Sequence, residues 1–194
     1  MDAWSKSIYK NIKDVKTTLV FSNVESLYFV EDKMQNEGKT ILNINRIFAG
    51  GDNKYYKNTK TKEYFYQNNL EELLLTDLPE KKWQIIQESK KIGNYLCFKA
   101  IDIASKNTKM KPVVWFTPQI PVSFGPKEFN GLPGLVVLVE MTKRAISISE
   151  IVLNPKKEIK VKKPIKGRKE TIEENNKRME SYKNFFKKNH NPYI

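Results

Sequence analysis

Short apolar runs separated by polar turns occur along most of this chain, at the spacing typical of β-strands. Residues 17–30 (TTLVFSNVESLYFV) are rich in β-branched and aromatic side chains. A polar break in the middle of this run predicts one bent strand or two short ones. Residues 41–48 alternate between apolar and polar positions with a period of two, which predicts a half-buried strand. Residues 54–57 and 63–67 are predicted to pair as a hairpin.

The same pattern continues through the second half of the chain. The leucine-rich residues 70–78 suit either a helical turn or a strand, and Pro79 ends that element. Further strands are predicted over residues 83–88, 95–103 and 113–116, and residues 136–140 are predicted to pair with residues 145–153 around a tight turn. No helical periodicity separates these strands, so an antiparallel connection between neighbours is expected.

A helix is predicted after the strands. Thr171 and Glu174 have the spacing of a capping box, in which each residue bonds to the backbone of the other. A helix from there to about residue 188 would carry an apolar stripe that packs on the sheet or on a partner. The stripe consists of Ile172, Met179, Tyr182 and Phe186.

These elements predict a mainly β fold: a curved antiparallel meander sheet, of which a half-barrel is one form, with a C-terminal α-helix. The expected organisation is an N-terminal lead over residues 1–16 and an antiparallel β domain over residues 17–155. A basic linker follows over residues 156–169, and a helix and tail occupy residues 170–194. At 194 residues the chain is long enough to bury a substantial core.

The charge distribution is uneven. The whole chain carries a net charge of +13, and residues 154–194 contribute 13 Lys+Arg against 5 Asp+Glu, or +8. The basic segment bounded by Lys156 and Lys169 suits an anionic surface such as a membrane or a polysaccharide, but the pattern favours a solvated linker over either. It lacks the interleaved aromatic residues of nucleic-acid binding sites, so no specific nucleic acid is predicted as a partner.

Few residues offer catalytic or metal chemistry. His190 is the only histidine and Cys97 the only cysteine, so they are too few for a zinc site of thiolate and histidine ligands. His190 lies in the polar tail, outside the predicted β domain, so no Cys–His nucleophile is predicted. The glycines do not form a phosphate-binding loop, and no cofactor is predicted. Carboxylates remain the one catalytic alternative, and Glu88, Asp102 and Glu140 are the candidates for a hydrolase site.

No apolar run approaches the roughly 18 residues of a membrane-spanning helix, so no transmembrane segment is predicted. The opening residues, MDAWSKSIYKN, lack the apolar core of a signal peptide. The expectation is therefore either a cytosolic protein or a mature chain from which a signal peptide has been removed.

Residues 116–140 form the most distinctive stretch, with four of the nine prolines and three of the eight glycines. Pro133 and Gly134 suit the centre of a type II turn, which would give Gly134 a positive φ. Apolar residues in such a turn either seal the end of the core or form a contact patch. The predicted partner-binding residues are Phe124, Gly125, Pro126, Phe129, Gly131, Leu132, Pro133 and Gly134.

Several blocks of this sequence resemble the GLPGLI family, small envelope proteins of Bacteroidota. The hexapeptide GLPGLV at residues 131–136 is similar to the family signature, with Val in place of the final Ile. The other blocks are WQI at residues 83–85, KIGNYLCFKA at 91–100, WFTPQIP at 115–121 and GP at 125–126, and SLY at 26–28 belongs to a similar upstream strand. The resemblance covers roughly residues 17–153.

The resemblance implies a mature exported chain in the periplasm or on the outer-membrane surface. The family has no assigned enzymatic activity, and its genes often neighbour outer-membrane uptake receptors. A non-catalytic role is therefore expected, in which the chain binds a protein partner or ligand, such as an outer-membrane receptor or translocon. The alternatives are a hydrolase of envelope polymers and an anionic-surface binder that uses the basic tail.

Overall fold

The computed structural model describes residues 12–31, 43–68, 73–78, 80–105, 111–157 and 159–189. The strands are β1 (Thr17–Phe21), β2 (Glu25–Val30), β3 (Asn53–Asn58), β4 (Glu63–Asn68), β5 (Leu73–Thr76), β6 (Trp83–Ile92), β7 (Tyr95–Asp102), β8 (Val113–Thr117), β9 (Leu135–Met141), β10 (Arg144–Ser147) and β11 (Arg168–Thr171). The helices are α1 (Ile44–Ala49) and α2 (Ile172–Asn189).

The strands form two sheets. The first has six strands in the order β1-β2-β3-β4-β5-β11, and the second has five in the order β10-β9-β8-β7-β6. Neighbouring strands are antiparallel, except that β11 runs parallel to β5. The structure therefore confirms the mainly antiparallel β class with a C-terminal helix, and it divides the strands between two sheets.

Apolar side chains cover both faces of the five-stranded sheet. Trp115 belongs to one cluster, with Cys97 and Phe124, while its neighbours Val114 and Phe116 belong to another. Successive residues of a strand point to opposite faces, so the two clusters lie on opposite sides of the sheet. Leu19 and Phe21 of β1 pack on the Trp115 cluster, which joins the six-stranded sheet to the five-stranded one.

Most predicted strands are present, with changes at their ends. Residues 17–30 form two strands, and residues 54–57 and 63–67 lie in the β3–β4 hairpin. The ambiguous leucine-rich run contains β5, although residues 70–72 and 79 lie outside the described residues. The predicted partner of β9 is shorter than expected, since β10 ends at Ser147 instead of continuing to residue 153.

The predicted strand over residues 41–48 is wrong. In the described part of this segment the chain forms α1, which Asn43 caps by accepting a hydrogen bond from the Asn45 N–H at 3.0 Å. Gly50, with φ of 123°, ends the helix and donates its N–H to the Ile47 carbonyl. A side-chain cap at the start and a glycine at the end therefore outweigh the two-residue alternation.

The C-terminal helix is present where the capping box predicts it. The Glu174 N–H donates to the Thr171 hydroxyl at 3.1 Å, and the Thr171 N–H donates to the Glu174 carboxylate at 2.7 Å. Arg178 also donates to Glu170 of β11, a carboxylate that is 5% exposed. Met179 and Tyr182 of the predicted apolar stripe are exposed. The side chain of Phe186 lies outside the described residues.

Candidate functional site

The turn between β8 and β9 is packed into the core instead of projecting from it. Phe124, Phe129 and Leu132 are each about 1% exposed and belong to the two clusters of the five-stranded sheet. Their burial is what the core-sealing alternative predicts. Of the eight predicted partner-binding residues, only Gly131 and Pro133 are exposed. Partner binding by this turn stays a prediction, and a partner would meet those two positions without unfolding the core.

Gly134 does not have the positive φ that the type II turn predicts; in this turn Gly131 has it, at 93°. Gly134 is needed for a different reason. A Cβ atom on Gly134 would lie 2.6 Å from the carbonyl carbon of Thr117, and one on Gly125 would overlap the backbone carbonyl oxygen of Phe129. The turn therefore depends on close backbone approach at two glycines, and the predicted conformational reason is wrong for Gly134.

Polar contacts attach this turn to the six-stranded sheet and to α1. Lys57 of β3 donates to the Asn130 side chain at 2.7 Å, and Lys127 donates to the Phe48 carbonyl at 3.2 Å. Trp83 donates its indole N–H to the Asn130 carbonyl at 2.8 Å. Burial raises the pKa of Tyr28, on the same sheet, to about 12, so this phenol stays protonated. The hydrogen bonds of Lys57, Lys127 and Trp83 make the turn a structural connection between the two sheets.

The three candidate hydrolase carboxylates are each paired with a lysine. Glu88 contacts Lys99 at 2.9 Å. Asp102 contacts Lys81 at 3.4 Å and accepts backbone N–H bonds from residues 82 and 104. These bonds explain how Asp102 is accommodated at 3% exposure.

Glu140 lies on β9 in a different arrangement. It accepts the indole N–H of Trp115 at 2.7 Å and contacts Lys90 at 3.3 Å. The Trp115 hydrogen bond, followed by the Lys90 contacts, holds the pKa of the Glu140 carboxyl below its ordinary value. A carboxyl held in its ionised form is a poor general acid. The contacts of Glu88 and Glu140 link strands of the five-stranded sheet, and those of Asp102 hold the residues that flank β6 and β7.

Cys97 and His190 are the remaining candidates for reactive chemistry. Cys97 is completely buried, and burial raises the pKa of its thiol, so it behaves as a small apolar core residue. His190 lies outside the described residues. Within the described ranges, no group of three or more His, Cys, Asp or Glu side chains is arranged to hold a metal ion.

The predicted basic linker crosses one face of the six-stranded sheet. We call residues 159–167 the basic strap. Val161 packs on the cluster formed by Leu27, Tyr56, Phe65 and Leu74, and Pro164 is buried. Gln67 of β4 donates to the Lys166 carbonyl at 2.7 Å, and Lys163 pairs with Glu63. The strap is therefore fixed by apolar packing and by hydrogen bonds, and after it the chain enters β11.

Two grooves flank the basic strap. The first, which we call the β4–β5 groove, has a volume of about 550 Å³. Its lining contains the lysines Lys62, Lys163 and Lys169 together with Glu63 and Asp77. The Lys163 ammonium, followed by the Thr61 hydroxyl, holds the pKa of Glu63 below its ordinary value. The lining of this groove therefore carries both positive and negative charge.

The second, which we call the strap groove, has a volume of about 510 Å³ and lies over β1, β2 and β3. Five lysines line it: Lys54, Lys160, Lys162, Lys163 and Lys166. The apolar lining comes from Val20, Leu27, Phe29, Ile159, Pro164 and Ile165. Among the described residues that line it, none is Asp or Glu. Both volumes lie in the range of known small-molecule sites.

The sequence predicts the positive charge of the strap groove, but it does not identify the residues of the sheet that line the groove. Lys54, Val20 and Phe29 lie far from the basic segment along the chain, and only the folded sheet places them beside it. One signal was present: apolar residues recur among the lysines at Ile159, Val161 and Ile165. A purely solvated linker has no need of that pattern.

A family model described as "Protein of unknown function (Porph_ging)" matches residues 102–138. The matched segment includes β8, the glycine-rich turn and the start of β9, where most residues are buried. Comparison with curated proteins found no match. In the described part of the chain, neither helix combines the length and the apolar character required to cross a membrane.

A solved structure of PNGF-II is similar in fold to this chain. The structure in space group P21 superposes with a TM-score of 0.50 at 19% identity, covering 87% of this chain and 30% of PNGF-II. The structure in space group C2 gives a TM-score of 0.47 at 21% identity, covering 72% of this chain and 26% of PNGF-II. This chain therefore spans less than a third of PNGF-II, and at this identity the likeness concerns the fold alone.

Proposed function

We propose that this chain is a non-catalytic binding protein of the cell envelope, and that the basic strap and its two grooves form its binding surface. The observation that carries this proposal is the strap groove, where five lysines surround an apolar lining of about 510 Å³. Lysine ammonium groups around an apolar groove attract an anionic partner, and the apolar lining gives that partner a contact surface.

The proposal includes membership of the GLPGLI family and a periplasmic or outer-membrane location. The family match at residues 102–138 supports a family of unknown function, and the sequence blocks quoted above support the finer assignment. On this basis the expected partners are envelope components, among them an outer-membrane receptor or translocon. The carboxylate hydrolase is not carried forward, because its three candidate residues are engaged with lysines.

A native pull-down from envelope extract tests the proposal. The test variant is Lys54→Glu, Lys162→Glu and Lys166→Glu combined, and the control is Lys91→Glu, Lys143→Glu and Lys183→Glu combined, since each changes the net charge by the same amount. The three control lysines are exposed and do not line either groove. We expect the test variant to lose the co-purified partner and the control to retain it. Equal retention by both variants would exclude the strap groove, which all three mutated lysines line, as the binding surface.

A further inference from the structure

We propose that the strap groove binds a single-chain anionic lipid, with the acyl chain on the apolar lining and the acidic headgroup among the lysines. This inference rests on the proposed function and specifies its ligand class. It follows from how apolar and charged groups are distributed within one groove.

The apolar lining comes from two opposing sides. Val20, Leu27 and Phe29 belong to β1 and β2, and Ile159 and Ile165 belong to the basic strap. Ile159 is 60% exposed and Ile165 is 81% exposed, so their side chains are largely in water. Removing such apolar surface from water favours binding of a ligand with an apolar chain. An inorganic anion or a sugar phosphate would not contact this surface productively.

The lysines surround this lining instead of forming a separate patch. Lys54 lies on β3, whereas Lys160, Lys162 and Lys166 lie on the strap, so positive charge reaches the groove from both sides. Long lysine side chains place their methylene stems along apolar surface and their ammonium groups in water. This arrangement complements a ligand with an apolar body and an acidic end.

The β4–β5 groove offers a contrast within the same chain. It has a similar volume, about 550 Å³, but Glu63 and Asp77 are part of its lining. Carboxylates in the lining repel an acidic headgroup. The strap groove is also on a sheet face, where backbone groups are already paired within the sheet, so an extended peptide could not add as a further strand there. The lipid assignment therefore applies to the strap groove.

Isothermal titration calorimetry with the full chain tests the inference, using dodecyl phosphate below its micelle concentration as the probe. Inorganic phosphate and dodecyl maltoside supply the headgroup charge and the alkyl chain separately. We expect one dodecyl phosphate per chain, and a Kd at least tenfold lower than that of either control compound.

Two variants test the apolar lining and the lysines of the strap groove separately. Ile159→Ser combined with Ile165→Ser should weaken dodecyl phosphate binding at least tenfold, whereas Val152→Ser, at an exposed position outside the groove, should leave it unchanged. The Lys54, Lys162 and Lys166 charge reversal should weaken it at least tenfold as well. Thermal melting confirms that each variant is folded, and because both isoleucines are exposed, the chain should fold without them.

The outcomes distinguish this inference from the proposed function. If dodecyl phosphate binds no tighter than inorganic phosphate, or if the isoleucine variant binds like the original chain, the lipid assignment is wrong. The proposed function survives either result when the charge reversal still abolishes the envelope pull-down. If the charge reversal affects neither measurement, both proposals fail.

Discussion

The carbonyl group of Thr117 occupies the space where a side chain on Gly134 would begin. A Cβ atom built on Gly134 would lie 2.6 Å from the Thr117 carbonyl carbon and 2.9 Å from the Pro118 nitrogen. Both neighbours are backbone atoms, so relief requires movement of the chain itself. Thr117 is completely buried and pairs with Leu135 across β8 and β9, which leaves little room for that movement.

Gly134→Ala is therefore expected to destabilise the fold by about 2–3 kcal/mol, through overpacking against backbone. Gly51→Ala is a matched control, because Gly51 has a φ of 61° and nothing within 4 Å of the added Cβ atom. Gly51→Ala should lower the free energy of unfolding only by the cost of holding alanine at that positive φ, about 1–2 kcal/mol. Chemical denaturation measures both differences. A smaller loss for Gly134→Ala than for Gly51→Ala would contradict the steric explanation.

Phe129→Ala should destabilise the chain by about 3–5 kcal/mol, because it leaves a cavity in the cluster that also contains Val114 and Val136. Pro133→Ala, at an exposed position of the same turn, should change stability by less than about 1 kcal/mol. Urea unfolding compares the two variants.

The same pair separates core sealing from partner binding. Under core sealing, folded Phe129→Ala retains any envelope partner in a pull-down. Loss of the partner with Pro133→Ala alone would instead assign a binding role to the exposed part of the turn.

Glu140 predicts a pH dependence of stability. Its pKa is lower in the folded chain than in the unfolded one, so the unfolded state binds the proton more tightly. The stabilisation is fully present above the unfolded carboxyl pKa of about 4.3 and is lost as the pH falls through the folded value. Glu140 is 43% exposed as a side chain, so solvent screening limits the effect to about 1 kcal/mol or less.

Glu140→Gln measures this contribution, because glutamine can still accept the Trp115 indole N–H. We expect the variant to melt below the original chain at pH 7 and the two melting midpoints to converge as the pH falls through the folded pKa of Glu140. Glu63→Gln is a useful comparison, since the pKa of Glu63 is also lowered but by Lys163 and Thr61. If the difference in melting midpoint between Glu140→Gln and the original chain grew as the pH fell, the lowered pKa of Glu140 would be contradicted.

Thr171→Ala should destabilise α2 without unfolding the sheets. The substitution removes the hydroxyl that accepts the Glu174 N–H at 3.1 Å, and the loss of such a cap costs about 1 kcal/mol. Amide exchange within α2 should then accelerate about fivefold, the factor that corresponds to 1 kcal/mol at 25 °C. Exchange in β8 and β9 serves as the internal reference. Equal acceleration in both places would mean that the helix and the sheets unfold together.

The strands of the five-stranded sheet could be predicted well because local pattern and tertiary structure agree there. β7, for example, occupies eight of the nine residues predicted, and the turn between β9 and β10 lies where the sequence places it. The GLPGLV stretch was correctly identified as a shaped turn before a core strand. In these places the alternation of side chains and the turn residues indicate the same structure.

The helix α1 could not be predicted from alternation alone. Its length of six residues is too short for helical periodicity to outweigh a two-residue pattern, and the decisive features are its ends, at Asn43 and Gly50. The role of Gly134 was also misassigned, because a sequence shows that glycine is present but does not show which backbone lies beside it. The approach of Thr117 is a property of the assembled sheet.

The strap groove was inaccessible to sequence reasoning for a similar reason. Most of its lysines are visible in the sequence as a charge excess, but half of its apolar lining comes from β1 and β2, more than a hundred residues earlier. The parallel pairing of β11 with β5 also joins segments that are distant in the sequence. Each strand has only four residues, and nothing local to Arg168–Thr171 identifies Leu73–Thr76 as its partner.

That parallel pairing has a consequence for how the chain folds. Leu73 pairs with Arg168, a separation of 168 − 73 = 95 residues, so the sixth strand is added only when the last part of the chain is available. Until then β5 is an edge strand with unpaired backbone groups and three buried leucines, Leu73, Leu74 and Leu75. Such an edge invites pairing with another chain, and contacts between distant residues form slowly. The interval before β11 docks is therefore a stage of folding at which the β5 edge exposes this protein to aggregation.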